Sequence, residues 1–230
     1  MGAEKYNFHI DGINPNNSHG KVLMQVREGS KVLECGSASG YMTEFLTEKM
    51  NCKVSIVEID KDGFMQSMRF AQAGYRGNLN TLGWYRYYRK ERFDFILFAD
   101  VLEHLYNPLM VLQHAGKLLA PGGKIIVSIP NICHNDVIIK MFNDCFTYTK
   151  IGLLDDTHIH FWGGNDIALF CDKAGLKIGH MSVVQIPTGY TEQRIHPSMV
   201  DEDLKKALEK HTLGEVYQFV FVCERKDEQK

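Results

Sequence analysis

The sequence predicts an α/β fold: a doubly wound sheet of seven mostly parallel strands, the last strand antiparallel, with helices on both faces. Three observations carry this expectation. Short apolar runs alternate with longer amphipathic stretches, the pattern of a parallel sheet covered by helices. A glycine loop, "GSASG" at 36–40, follows the first apolar run and leads into a helix. Near the C-terminus, "KIGHMSVVQI" and "VYQFVFVCE" are two further apolar runs that close the sheet as an antiparallel edge pair.

The elements follow in order. "KVLECG" (31–36) reads as a buried strand, "TEFLTEKM" as the helix behind the glycine loop, and "CKVSIVEID" (52–60) as the second strand. A helix around Gly63 to Ala73 and a weak strand near Gly77 to Leu79 precede "FDFILFAD" (93–100), a strong strand signal. "VLEHL" and "PLMVLQHAGKLLA" give a broken helix, closed by a turn at Pro121 to Gly123, and "KIIVSIP" (124–130) is the fifth strand. Beyond a long connection, "NDIALFCDKAGL" is a helix, "KIGHMSVVQI" a strand, "DEDLKKALEKH" a helix, and "VYQFVFVCE" (216–224) the last strand. The terminal "RKDEQK" is expected to be frayed.

With 230 residues and 44% hydrophobic content the chain suits one core, so 1–230 reads as a single domain. Residues 1–30 form an N-terminal cap region, and 131–157 a substrate-side insertion too long for a simple turn. Twenty-six basic and 28 acidic residues give a formal charge of -2, which supplies no global field toward nucleic acid or an anionic membrane and suits a small-molecule or glycan partner better. Six scattered cysteines without a CxxC pair indicate neither a zinc ribbon nor a disulfide scaffold. No apolar leader, membrane-length run or myristoylation signal is present, so the expected compartment is the cytoplasm.

In such a sheet, ligands bind beyond the carboxyl ends of the strands where strand order reverses. Four segments should meet there: Glu34 to Gly40, Glu58 with Ile59, Asn78 with Leu79, and Asp100 with Val101. Gly36 and Gly40 allow a sharp turn around a ligand, and the helix behind them offers free N–H groups. Glu58 is placed to accept from both hydroxyls of a ribose. A nicotinamide dinucleotide or S-adenosylmethionine fits this crevice. The dinucleotide's pyrophosphate calls for glycine where Ala38 stands, whereas a cofactor without phosphate does not.

"VLECGSASG", "VEID", "FDFILFADVLEHLYNPLMVLQHAGKLLAPGGKIIVSIPN" and "GLLDDTHIHFW" together resemble the class I S-adenosylmethionine-dependent methyltransferases, above all the subgroup found in bacterial cell-surface polysaccharide clusters. The resemblance spans Tyr6 to Leu176 and implies a Rossmann-like seven-stranded fold. By position it makes Glu34, Gly36, Ser37 and Gly40 the loop around the methionine moiety and Glu58, beside Ile59, the ribose ligand. It makes Asn78 with Leu79 the adenine contact, and Asp100 with Val101 the wall beneath the sulfonium. Three positions depart from the family: Glu34 and Asn78 each replace a usual aspartate, and Ala38 a usual glycine.

At the reacting end, Asp100, Glu103 and His104 stand at i, i+3 and i+4, which share one face of a helix. Carboxylates with imidazole serve either acid–base chemistry or a divalent metal. The segment "DDTHIHFW" adds His158 and His160. By resemblance to small-RNA 3′-terminal methyltransferases, Asp100, Glu103, His104 and His158 would share a metal, although Asp in place of Glu at the first position shortens the reach. The preferred assignment is His104 as general base or metal ligand, with His158 and Glu103 as companions. The structural alternatives are that Glu103 and His104 only cap and orient the helix, that His158 is a bonded core histidine, that Asp155 and Asp156 are turn residues, and that His160 lies at the surface.

Phe142, Phe146 and Tyr148 in the insertion are candidates to pack an acceptor ring, or are plain core residues. Asn131 could orient an acceptor hydroxyl or serve a turn, and Tyr6, Ser18 and His19 could cover the cofactor. "WYRYYRKER" (84–92) interleaves aromatics and arginines but, in a nearly neutral chain, reads as a crossing segment with aromatics inward. The expected activity is O-methylation of a sugar or polysaccharide precursor. Alternatives are a phenol or quinone-precursor O-methyltransferase, an RNA 2′-O-methyltransferase and, from another class, a nicotinamide-dependent oxidoreductase or a non-catalytic cofactor-binding module.

Overall fold

The structure, a computed structural model, describes residues 12–226; Tyr6 lies outside them, as do the last four residues of the tail. Seven strands form one sheet: β1 (Lys31–Cys35), β2 (Lys53–Glu58), β3 (Ala73–Arg76), β4 (Phe93–Ala99), β5 (Leu119–Pro130), β6 (Leu176–Gln185) and β7 (Val216–Arg225). Their order is β3-β2-β1-β4-β5-β7-β6. All pairs from β3 to β5 are parallel, and β7 runs antiparallel between β5 and β6. The expected topology therefore holds.

Both faces are covered, which is why the central strands read as nearly continuous apolar runs. On one face Leu33, Cys35, Ile96, Phe98 and Val127 pack under α4 (Gly83–Tyr88), α5 (Pro108–Lys117) and α7 (Gly164–Lys173). On the other, Val32, Val54, Ile56, Phe95, Leu97 and Ile126 pack under α1 (Ser18–Leu23), α2 (Tyr41–Glu48) and α3 (Lys61–Ser67). The insertion contains α6 (Asn135–Phe142), and α8 (Glu202–Leu208) precedes β7.

Several elements differ from expectation, each for a local reason. The third strand lies earlier, at 73–76, because Asp60 caps α3 and that helix ends at Ser67; Asn78 and Leu79 then fall in the turn after the strand. "VLEHL" is a single 3₁₀ turn (Leu102–His104) instead of an α-helical segment. Asp100 enters it with φ 55°, and Asn107 starts a separate helix with Pro108 at its first position. The "PGG" turn is absorbed into β5, at the cost of a register break opposite Phe93 and Phe95.

Helices α1, α4 and α6 have no counterpart in the sequence reading. In α4 the i, i+4 pair Trp84 and Tyr88 is buried while Tyr87 is exposed, so the aromatics point both ways. Trp84 Nε1 donates to the Leu79 carbonyl at 3.0 Å, and Tyr88 Oη donates to the Ile56 carbonyl at 2.9 Å. All six cysteines are free thiols. No helix among the described residues is long and apolar enough to cross a membrane.

Tyr88→Phe keeps the ring and removes the donor. It should cost about 1–2 kcal/mol in urea unfolding, because the buried Ile56 carbonyl gains no new partner; an unchanged midpoint would show that this carbonyl is satisfied without the hydroxyl.

Candidate active site

The loop 36–40 follows β1 and lies beside the C-terminal ends of β2 and β4, which flank that strand. Gly36 has φ 78° and Gly40 φ 83°, and a Cβ on either would approach another residue to 2.6 Å, Val101 Cγ2 at Gly36 and Ser67 Cα at Gly40. Both positions therefore require glycine. Between them Ala38 is also left-handed, at φ 48°, which costs an L-residue about 1 kcal/mol or more. Two bonds hold it there. Its N–H donates to Glu58 Oε2 at 2.8 Å, and its carbonyl accepts from Ser67 Oγ at 3.1 Å.

Glu58 thus does more than face a ribose. Its other oxygen, Oε1, accepts from the Asp60 N–H at 2.8 Å, so one carboxylate ties the β1 loop to the entry of α3. Burial raises its pKa and these N–H bonds oppose the rise. Beside it the Ile59 side chain is 63% exposed, an apolar surface left open at the crevice. Ser37 is 1% exposed, and its Oγ has no hydrogen-bond partner.

The structure sets Glu34 beneath the loop. It is 4% exposed, and Thr43 Oγ1 of α2 donates to its Oε2 at 2.6 Å. Burial pushes its pKa to about 8; the Thr43 bond opposes this and the Glu58 carboxylate adds to it. Asn78 closes a turn, its Oδ1 accepting from the Asn80 N–H at 2.8 Å, while Leu79 is buried.

Asp100 ends β4 against this loop. Its Oδ1 accepts from Ser128 Oγ at 2.7 Å and from Gln218 Nε2 at 2.8 Å, and its Oδ2 lies 3.6 Å from His19 Nε2 of α1. His19 in turn meets the Tyr41 hydroxyl at 2.9 Å. The expected four-residue metal set is corrected here. Glu103, His104 and His158 come together with their candidate donor atoms within 4.8 Å of one another, and Asp100 is not among them. Its left-handed backbone and the 3₁₀ turn after it break the helical register that would have put it on their face.

The three-residue cluster is held by its backbone. The Glu103 carbonyl accepts from the N–H groups of Ile159 and His160 at 2.9 and 3.1 Å, which brings the distal segment onto the turn. The rings of His104 and His158 stand 4.8 Å apart. His104 Nδ1 lies 3.2 Å from the Thr157 carbonyl and 3.0 Å from Thr157 Oγ1, whose proton goes to Asp155 Oδ1 at 2.6 Å. His158 Nδ1 faces the Leu153 carbonyl at 3.4 Å. A carbonyl only accepts, so each ring carries a proton on Nδ1, and in a neutral ring the lone pair is then on Nε2.

Burial, reinforced by the neighbouring His104, lowers the His158 pKa and favours the neutral imidazole. Glu103 is 1% exposed with Oε2 unpartnered, and burial followed by the Asp100 charge pushes its carboxyl well above the ordinary range.

The remaining candidates separate. The Asn131 side chain is consumed by the Leu213 and Val216 carbonyls and the Cys133 N–H, so it is structural. His160 stacks on Trp162 at 5.7 Å. Phe142, Phe146 and Tyr148 are 66, 43 and 51% exposed, so the core alternative fails for them. Asp155 is a turn residue as expected, but it also braces Thr157 beneath His104. Thr157, Ser128 and Gln218 were not singled out by the sequence; only the neighbourhood of "DDTHIH" signalled Thr157.

The family described as "Methyltransferase domain" matches residues 19–180. The chain belongs to that family. Its seven-stranded sheet has the fold of S-adenosylmethionine-dependent methyltransferases. This methyltransferase is 27% identical over 116 residues to the mitochondrial ubiquinone biosynthesis O-methyltransferase of Dictyostelium discoideum, a match covering 45% of this chain and 36% of that protein. It is 31% identical over 110 residues to the protein-L-isoaspartate O-methyltransferase 1 of Nitrosospira multiformis, covering 46% of this chain and 44% of the relative. The methyltransferase thus spans less than half the length of these two curated relatives. Among solved structures, a SAM-dependent methyltransferase from Aquifex aeolicus shares the fold at TM-score 0.58 and 14% identity, over 96% of this chain and 95% of that one.

The Glu34 carboxyl gives a pH prediction. Between its unfolded value near 4.5 and its folded value near 8, the folded methyltransferase keeps a proton that the unfolded chain has released, so this residue's contribution to stability falls as pH rises. Glu34→Gln retains an acceptor for Thr43 and removes the titration. In calorimetry from pH 5 to 9 the variant should gain on wild type by about 5 °C or more at the alkaline end; a pH-independent difference would refute the assignment.

Proposed function

We propose that this methyltransferase transfers the methyl group of S-adenosylmethionine to a hydroxyl oxygen, and that the acceptor is a sugar or polysaccharide precursor. The observation that carries the oxygen assignment is the pairing of His104 with His158 beside the buried Glu103, with burial favouring the neutral form of His158. A hydroxyl must lose its proton as it attacks, and an Nε2 lone pair with Nδ1 held by a carbonyl can take it. The cofactor supplies the electrophile, so the protein's work is alignment and proton removal.

In this reading the methionine end lies along Gly36, Ser37 and Gly40, the ribose on Glu58, and the adenine between Ile59 and the Asn78–Leu79 turn. Asp100 and Val101 lie beneath the sulfonium. The exposed Ile59 side chain and the unpartnered Ser37 hydroxyl support the placement. The exposed rings of Phe142, Phe146 and Tyr148 in the 131–157 insertion offer flat apolar faces to a sugar, and the sequence resemblance supports the polysaccharide context. A quinone-precursor phenol is the second reading, favoured by the relative named for ubiquinone biosynthesis.

The donor set also fits a divalent cation. Glu103, His104 and His158 supply one carboxylate and two imidazoles, each imidazole braced through Nδ1 by a backbone carbonyl, and the carboxylate has an unpartnered oxygen. A bound cation would polarise the acceptor hydroxyl. The protein's own contribution would be to hold the three donors together through the Glu103 carbonyl and the Thr157–Asp155 brace.

Glu58→Ala should weaken S-adenosylhomocysteine binding about tenfold or more in calorimetric titration, since it removes the ribose acceptor and releases Ala38; equal affinity would sink the placement. His104→Ala should keep that affinity and lower turnover about a hundredfold or more with a labelled methyl donor and a panel of sugars and phenols. Turnover unaffected by the substitution would remove the histidine from the chemistry. Elemental analysis of protein purified without chelator, repeated on His158→Ala, tests the cation: a metal content that survives the substitution would place the ion elsewhere.

A further inference from the structure

We propose that Ser128 and Gln218 are positioning residues that hold Asp100 against the cofactor's positive charge, so that the site favours the sulfonium it consumes over the thioether it releases. The proposal rests on the methyl-transfer reading above.

The sulfur's place follows from what flanks it. Cys35 pairs with Phe98 across β1 and β4, so Gly36 leaves the sheet level with Ala99, and Asp100 follows one residue on. Gly36 lies directly against Val101, and three residues after Asp100 begins the Glu103–His104–His158 cluster that would receive the acceptor's proton. A cofactor lying along the glycine loop, with its methyl turned toward that cluster, carries its sulfur past the end of β4.

Asp100 is fixed there by more bonds than a surface carboxylate has. Its backbone is left-handed, and its N–H lies 3.2 Å from the Ser128 carbonyl and 3.1 Å from Ser128 Oγ. A non-glycine residue stays in that conformation only where its surroundings over-determine it. The two donors to Oδ1, a serine hydroxyl and a glutamine amide, are both neutral. They orient the carboxylate without cancelling its charge, as an arginine or lysine would. Oδ2 lies on the side of His19, 3.6 Å from Nε2, and the Asp100 side chain is 29% exposed, so a ligand has access to it.

Methyl transfer changes the charge facing this carboxylate. The acceptor oxygen bonds to the methyl carbon, the carbon–sulfur bond breaks with its electron pair going to sulfur, and the hydroxyl proton leaves to the histidine side. The sulfur begins as a cation and ends neutral. Asp100 attracts the first state and has no charge to attract in the second, which favours product release. Neither Ser128 nor Gln218 need touch the cofactor for this; they act by occupying Oδ1 and so fixing the orientation of the carboxylate.

The test is the ratio of affinities. Wild type, Gln218→Leu, Ser128→Ala and Ser128→Thr would each be titrated calorimetrically with S-adenosylmethionine and with S-adenosylhomocysteine. Gln218→Leu and Ser128→Ala should weaken the sulfonium form about fivefold or more while changing the thioether form less than about twofold, and Ser128→Thr, which keeps the hydroxyl, should preserve the wild-type ratio. A structural role alone would weaken both ligands together, and that result, or no change in either, overturns the proposal. If the buried Ser128→Ala variant does not fold, the part-exposed Gln218→Leu decides. Wild type binding neither ligand would instead overturn the methyl-transfer reading itself.

Discussion

The crevice depends on the carboxylate of Glu58. It ends β2, yet its two oxygens reach the neighbouring loop at Ala38 and the start of α3 at Asp60. Three chain segments that a parallel sheet merely places side by side are thereby locked in register at the point where a ligand would lie. The bond to Ala38 also offsets the left-handed backbone there, a conformation that glycine adopts without strain. Glu58 therefore has a structural employment independent of any ligand.

The histidine cluster is held on a different principle. Glu103, His104 and His158 come from segments more than fifty residues apart, joined by backbone bonds from Ile159 and His160 to the Glu103 carbonyl. Side-chain freedom is removed behind the reactive faces, at Nδ1 of each ring and through Thr157 onto Asp155. The cost is a buried carboxyl with one oxygen unpartnered, a feature folded proteins seldom keep unless something else occupies the space.

The sheet was legible because apolar runs bounded by glycine and polar residues leave few alternatives. Boundaries were less so: the third strand is short, with no fully buried residue, and the sequence offered little contrast between 73–76 and 77–79. The histidine cluster was legible because "EH" and "THIH" each carry reactive groups in few positions. Asp100 was misplaced because a positive φ leaves no mark on a sequence when the residue is not glycine. Ser128 and Gln218 could not be found at all, since their link to Asp100 spans 28 and 118 residues and neither is an unusual residue for a strand.

The antiparallel insertion of β7 between β5 and β6 sets an order in time. As the chain leaves the ribosome, β6 is made before the strand that joins it to the sheet, so it waits without a backbone partner while α8 and β7 follow. At about 5–20 residues per second, the 118 residues between Asp100 and Gln218 correspond to roughly 6–24 s of synthesis. During that interval the bonds of Glu58 to the loop after β1 and to the start of α3 can already have formed. The Asp100 carboxylate acquires its second donor only with one of the last segments to emerge.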